Sequence, residues 1–383
     1  MAKRLTGAGI VKELGVTPLI QAGGPNTKHS GTRPRDEALD ALRAMSEVFV
    51  NLDEFLVAAG KHIAEMIGVE AATVTSGASG GLVVQAAAAI AKDDPEKIAR
   101  LPDTKGMPNE LIIQKRHRFV YDHLYLVPGA KFVEVGTAEK CMPEEVEAAI
   151  TDRTAGVIDL KSPFKSEGAV PLPVLVEIAH RHGLPVLCDA ASMLPPRSNL
   201  TKFYNEGADL VSFSGGKAIR GPQSTGILIG RKKWVEYARL NNAPNATVAR
   251  AQKVSKEEVA GLIASLKVFL AEDEKAETAR YRKMMRLVQD QIAEIPGLLV
   301  KIEHDDNHYI PQCVIYFTPK WRGPNGAEIQ KRLMAGRPRI YISSLGRSGE
   351  LHVDPLNIQD DEELESVARR VREELITAAN ERR

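Results

Sequence analysis

A lysine set behind two glycines, Lys217, follows the apolar run LVSF and precedes AIRGPQ. In an α/β protein that position falls at the carboxyl end of a strand, where ligands collect. A desolvated amine there has a lowered pKa and can condense with a carbonyl to form an imine. Exposed loop lysines are commoner, so Lys217 decides nothing alone. Three further features share strand-end positions. VTSGASGG, residues 74–81, runs from a strand through small residues into a helix. The first N–H groups of a helix, approached closely through glycine, favour a phosphate. Ser76, Gly77, Ala78 and Ser79 are the candidate cradle, although a tight turn has the same composition. In PVLCDAAS, residues 185–192, Asp189 closes an apolar strand. A carboxylate buried there needs a cationic partner such as a protonated ring nitrogen; the plainer reading is a helix cap or a surface turn. In QKRHRFVYDHLY, residues 114–125, one of His117, Tyr121 and His123 could stack on a flat ligand, while each could equally be a packed, hydrogen-bonded side chain.

Alternating strands and helices must position these groups. Short β-branched or apolar runs at 72–75, 111–115, 131–135, 156–160, 185–189, 210–213 and 225–229 are the candidate strands. Helical patterns at 77–91, 143–150 and 173–182 fall between them. This is the pattern of an α/β fold, a doubly wound and mainly parallel seven-stranded sheet. Residues 255–295 read as helix throughout, with alternating charges that imply a solvated face. Beyond them, apolar runs at 298–302 and 313–317, a helix around 327–334 and a last helix from about 361 make a smaller C-terminal α+β domain. The first forty residues, rich in Gly, Pro, Thr and Asn, suit an extended arm. The expected division is an arm over 1–44, a large domain over 45–250, and a small domain with its linking helix over 251–383.

Composition narrows the class. The 51 basic and 50 acidic side chains balance, which speaks against a generic nucleic-acid binder resting on clustered Lys and Arg. Cys141, Cys188 and Cys313 lie far apart without metal-ligand or CxxC spacing, so neither a disulfide framework nor a zinc site is suggested. No run approaches the roughly 18 apolar residues of a membrane span, and the N-terminus lacks a signal-peptide pattern. A soluble, cytoplasmic protein is expected.

The order of the four features is a phosphate-type turn, a ring, Asp189, and then Lys217 28 residues after it. With AAGKHIAEMIGVEAATVTSGASGGL, GAKFVEVG, HGLPVLCDAAS and SFSGGKAIRGPQSTGILIGRK, the chain resembles pyridoxal-phosphate (PLP) enzymes of fold type I, the aspartate-aminotransferase-like fold. Within these it is similar to the group of bacterial selenocysteine synthase (L-seryl-tRNA selenium transferase) and D-glucosaminate-6-phosphate ammonia-lyase, over roughly residues 15–235 and more faintly beyond. The resemblance implies PLP as cofactor, Lys217 for the Schiff base, Asp189 for the pyridine nitrogen, and Ser76, Gly77, Ala78 and Ser79 for the phosphate. Ser214 looks like the serine that also contacts phosphate. Ser192 occupies the place where related class-V enzymes carry Gln near the phenolic oxygen, and the ring-stacking His of that class matches His117, with His123 as rival.

The resemblance further implies a homodimer or larger symmetric assembly, with residues 221–226 reaching toward the neighbouring site. The leading reaction is elimination of the ammonia-lyase or dehydratase type, on a hydroxylated amino acid or amino sugar acid, phosphorylated or not. Lys161, Lys165, Arg220, Arg337 and Arg339 could hold an anionic substrate, Arg220 and Arg339 foremost, and most could equally be surface charges. A racemase or aminotransferase would use the same apparatus. A selenium transferase is less favoured: that family carries an additional N-terminal tRNA-binding region, whereas the cofactor domain here begins almost at once, so tRNA is not expected as a partner. A non-enzymatic binding protein on the same fold is the last alternative, and the Asp189–Lys217 pair argues against it.

Overall fold

The computed structural model describes residues 6–162, 165–306, 308–344 and 349–381. The chain divides into two compact units, one spanning Arg33–Glu272 and the other joining the residues up to Thr32 with those from Asp273 onward. A short strand, Leu19–Gln21 (β1), belongs to the second unit. The first unit is built on Ala71–Ser76 (β2), Glu110–Gln114 (β3), Lys131–Val135 (β4), Thr154–Leu160 (β5), Val186–Asp189 (β6), Leu210–Ser214 (β7) and Thr225–Gly230 (β8). These form one sheet in the order β2-β8-β7-β6-β5-β3-β4. β4, β3, β5, β6 and β7 run parallel, and β8 is antiparallel to both of its neighbours. The seven expected strands all form, with ends within two residues of the sequence reading.

β3, β5, β6 and β8 are buried along their whole length, as strands covered on both faces must be. One face packs on Ile63, Leu175 and Leu266, and the other on Leu82, Val83 and Tyr125. The Gly77–Ala91 helix is apolar all round because nearly all of it is enclosed; only Gly77 and Ser79 escape full burial. Its second glycine of the GG pair is required by packing: a Cβ on Gly81 would lie 2.0 Å from Ser212 Oγ.

Two expectations are corrected. Residues 255–295 are not one helix. They form Lys256–Ala271 and Glu274–Ile292, broken where Glu272 turns extended and the Asp273 side chain accepts the N–H groups of Lys275 and Ala276 as a fresh N-cap. The boundary between the two units falls at that break. The first forty residues are also more structured than an extended arm. Gly7–Glu13 and residues from Asp36 are helical, and Leu19–Gln21 supplies a strand, since its apolar pair Leu19 and Ile20 has a β partner to bury against.

In the second unit Leu298–Asp305 (β9), His308–Phe317 (β10) and Leu351–Val353 (β12) form an antiparallel sheet in the order β12-β10-β9, while Arg339–Tyr341 (β11) pairs parallel with β1. The Glu274–Ile292 and Asp361–Ala379 helices close a core containing Met285, Val288, Cys313, Leu333 and Val371.

Candidate active site

β2, β8 and β7 bring the phosphate-type turn beside the lysine turn. In register, Ser76 faces Thr225, Thr75 faces Gly226, and Gly226 in turn faces Ser214. Gly226 permits this approach, because a Cβ there would sit 2.3 Å from Gly77 C and 2.4 Å from Gly77 O. Gly77 takes φ +65°, a left-handed conformation open to glycine, and so swings β2 into the helix with Ser76 at its N-cap. The Ser76 side chain makes no capping bond and Ser79 Oγ reaches Ser76 O only at 3.5 Å. The first turn of a helix has no intrahelical acceptors for its N–H groups, and these point toward the cradle.

Lys217 follows β7 on the other side of this cradle. Its Nζ donates to Ser192 Oγ at 2.5 Å. Burial pushes the amine's pKa down, and the nearby Asp189 charge partly opposes that shift. Asp189 closes β6 and is itself buried, with Oδ1 accepting the Ala191 N–H at 2.9 Å. Burial pushes its carboxyl up to about 6, against the lowering effect of the Ala191 bond and the Lys217 charge. A carboxylate kept this dry gains strongly from a cation placed beside it. A reactive amine, a carboxylate in want of a cation, and a glycine-lined helix start therefore converge, and they fit the aldehyde, the protonated pyridine and the phosphate of PLP.

Of the ring candidates, His117 is buried at the end of β3, and its Nδ1 accepts the Leu160 N–H at 3.2 Å; Leu160 lies in register with Asp189. That bond places its proton on Nε2, and burial lowers its pKa although Asp159 pulls the other way. His123 and Tyr121 are exposed. Arg220, half-buried three residues after Lys217, adopts φ +58° and donates from Nε to Arg33 O at 3.2 Å. Lys161 is held by Asp159 at 2.9 Å, and Lys165 donates to Arg118 O at 3.2 Å. Arg337 and Arg339 are exposed residues of the second unit.

Sequence reading passed over two buried polar residues around the strand ends. Asp159 interrupts the apolar β5 just as Asp189 ends β6, a signal of the same kind, and it is fully buried between Lys161 and, at 3.7 Å, His117. Gln85 is the one polar residue in the run GGLVVQAAAAIA; its amide donates to Cys188 O at 3.1 Å and its Oε1 accepts from Tyr125 Oη at 3.3 Å. This ties the cradle helix to the residue before Asp189. Among the described residues no cluster of three or more His, Cys, Asp or Glu could hold a metal ion, and no helix is long and apolar enough to cross a membrane.

Fold and site define a PLP-dependent enzyme of fold type I. The family model described as L-seryl-tRNA selenium transferase matches residues 119–304. A 5'-C-glycyluridine monooxygenase-decarboxylase from Streptomyces sp is 32% identical over 98% of this chain and 94% of that protein. The D-glucosaminate-6-phosphate ammonia lyase of Salmonella typhimurium is 28% identical over 94% of this chain and 96% of that protein. A solved structure of D-glucosaminate-6-phosphate ammonia-lyase superposes with a TM-score of 0.82 at 27% identity, covering 99% of this chain and all of that one. The chain belongs to this selenocysteine synthase-like, ammonia-lyase-related family of PLP enzymes.

Proposed function

We propose that Lys217 binds PLP covalently and that the enzyme is a lyase of the ammonia-lyase or dehydratase type. Its substrate on this reading is a hydroxylated amino acid or amino sugar acid, phosphorylated or not. The observation that carries the reading is the desolvated Lys217 amine, held by Ser192 on a glycine-lined turn and electrostatically coupled to the buried Asp189. When bound, PLP supplies a sink for negative charge at the substrate carbon next to nitrogen.

The chain's own groups then have distinct tasks. N–H groups of Gly77, Ala78 and Ser79, with the hydroxyls of Ser76, Ser79 and Ser214, hold the phosphate. Asp189 pairs with the pyridine nitrogen and keeps it protonated, an exchange that also relieves its own buried charge. His117 packs on the ring face, and Ser192 donates toward the phenolic oxygen. With the cofactor bound, burial would favour the neutral form of the Lys217 side chain when it is free, and it would take the proton from the substrate carbon next to nitrogen. Arg220 holds an anionic group of the substrate. We further propose a cytoplasmic homodimer or larger symmetric assembly in which residues 221–226 approach the neighbouring site.

The test is an absorbance spectrum before and after borohydride, repeated with Lys217→Ala, followed by screening for ammonia release. The expected result is a visible band that borohydride bleaches and that the variant lacks. Absence of a band after PLP is added, or a bleachable band that survives in Lys217→Ala, refutes the assignment. Light scattering that finds a monomer at full cofactor occupancy refutes the assembly.

A further inference from the structure

Arg35 lies far from the lysine turn in sequence yet holds it from two directions. Its backbone N–H donates to Arg220 O at 2.9 Å and its Nε donates to Ile219 O at 3.0 Å. The remaining two guanidinium nitrogens make a bidentate pair with Glu272, at 2.5 Å and 2.8 Å, and the Arg35 side chain is only 7% exposed. Ser265 Oγ also donates to Arg220 O, at 3.0 Å. Arg220 N closes the turn back to Lys217 O at 2.8 Å. The left-handed φ of +58° at Arg220 is unfavourable for an arginine, so the turn needs outside contacts to keep it, and strain of this kind collects next to functional groups.

Glu272 is held in turn. Arg197 reaches it at 3.1 Å, donates from Nε to Phe269 O and lies 4.6 Å over the Phe269 ring. Burial alone would raise the Glu272 pKa, but the bonds and charges of Arg35 and Arg197 outweigh it and the carboxyl is lowered. The first unit begins at Arg33 and ends at Glu272, so the pair clips the two ends of that unit together and onto the backbone two and three residues past Lys217.

We propose that Arg35 is a positioning residue for the reaction: with Glu272 as its anchor it fixes residues 219–220 and through them the direction of the Lys217 amine toward Ser192 and Asp189. The proposal rests on the reading of Lys217 as the residue that binds the cofactor. A lysine at position 35 could reach Ile219 O or Glu272, but it lacks the planar fork that serves both at once. With the turn loosened, the Lys217 nitrogen, an imine nitrogen when the cofactor is bound, is better hydrated and its protonated form is favoured.

The experiment compares the PLP-loaded wild-type protein with Arg35→Lys and with Glu272→Gln, which has nearly the same shape as wild type. The readouts are the pH titration of the visible band and, separately, thermal melting. Arg35→Lys is expected to keep a borohydride-sensitive band while its titration midpoint moves up by about half a pH unit or more. Glu272→Gln is expected to move in the same direction by less, because the contacts to residues 219 and 220 remain. On whichever substrate the ammonia screen identifies, kcat is expected to fall about tenfold with KM nearly unchanged. A band that depends on Lys217 but titrates as wild type in both variants, even at a lower melting temperature, overturns the positioning role and leaves the Lys217 reading intact. A band that survives Lys217→Ala overturns that reading itself.

Discussion

Asp189→Asn separates what the site costs from what it does. In the cofactor-free protein burial lifts the Asp189 carboxyl from 3.8 to about 6. Between those values the folded chain holds a proton that the unfolded chain has released, so this contribution to stability is complete below about pH 4 and is lost as pH rises through about 6. Two pKa units at about 1.4 kcal/mol each put the loss near ~3 kcal/mol by pH 7, an upper figure for a buried group in a polarisable interior. Asparagine retains the Oδ1 that accepts the Ala191 N–H but cannot ionise. Any cost of burying its amide is independent of pH and displaces the whole curve without tilting it. Asp354 is also pushed up to about 6 by burial and tilts both proteins alike, so it cancels in the difference. The assay is urea unfolding of the cofactor-free wild type and variant at intervals from pH 4 to 8. The expected result is a wild-type curve that falls relative to the variant by up to ~3 kcal/mol across that range. With PLP present the order is expected to reverse, since on the proposed reading the variant lacks the partner of the pyridine nitrogen, and its turnover is expected to fall at least about tenfold. Parallel pH–stability curves for the two cofactor-free proteins would refute the account of Asp189 as a carboxylate awaiting a cation.

Gly226→Ala places a methyl carbon 2.3 Å from Gly77 C, which displaces the start of the cradle helix. It is expected to cost about 1–3 kcal/mol and to weaken PLP binding at least about tenfold, checked by melting and by cofactor titration; wild-type affinity would contradict the cradle assignment. Tyr125→Phe removes the donor to Gln85 Oε1 inside a fully buried pair. A loss of about 1–3 kcal/mol in urea unfolding is expected, and none would mean that the Gln85 tie to Cys188 stands without it.

The sheet was legible because its strands are short apolar runs closed by residues of a different kind. Leu-Val-Ser-Phe gives way to Gly215-Gly216-Lys217, and Val-Leu-Cys gives way to Asp189, so strand ends and chemical groups announce each other. The break at Glu272 was less visible. Asp273 has the composition of an ordinary solvated helix residue in a charged run, and only the three-dimensional course of the chain makes it a cap. Arg35 was invisible for a related reason: it sits in a Gly- and Pro-rich stretch, and its partners Ile219, Arg220 and Glu272 lie about 184 to 237 residues away. Asp159 carried a signal of the same form as Asp189, but periodicity cannot tell a carboxylate that awaits a ligand from one already paired through one oxygen with a neighbouring lysine.

Reaction type is a different problem from cofactor chemistry, and the relatives show why. A protein with ammonia lyase in its name and one with monooxygenase-decarboxylase in its name each align with nearly the whole chain. On the proposed reading Lys217 and Asp189 would serve any reaction that develops negative charge on the carbon next to nitrogen, so they cannot distinguish these outcomes. The choice turns on which bond to that carbon the site holds ready to break, and hence on where the substrate's anionic group is fixed. In this chain Arg220, set by the strained turn that Arg35 clamps, is the candidate for that fixing contact. Product analysis follows directly: ammonia released one-for-one without oxygen uptake supports the lyase reading, whereas carbon dioxide released with oxygen consumed overturns it in favour of the chemistry named for the Streptomyces relative. Either result should be lost in Arg220→Gly, which relieves the left-handed strain and removes the guanidinium while leaving the turn intact.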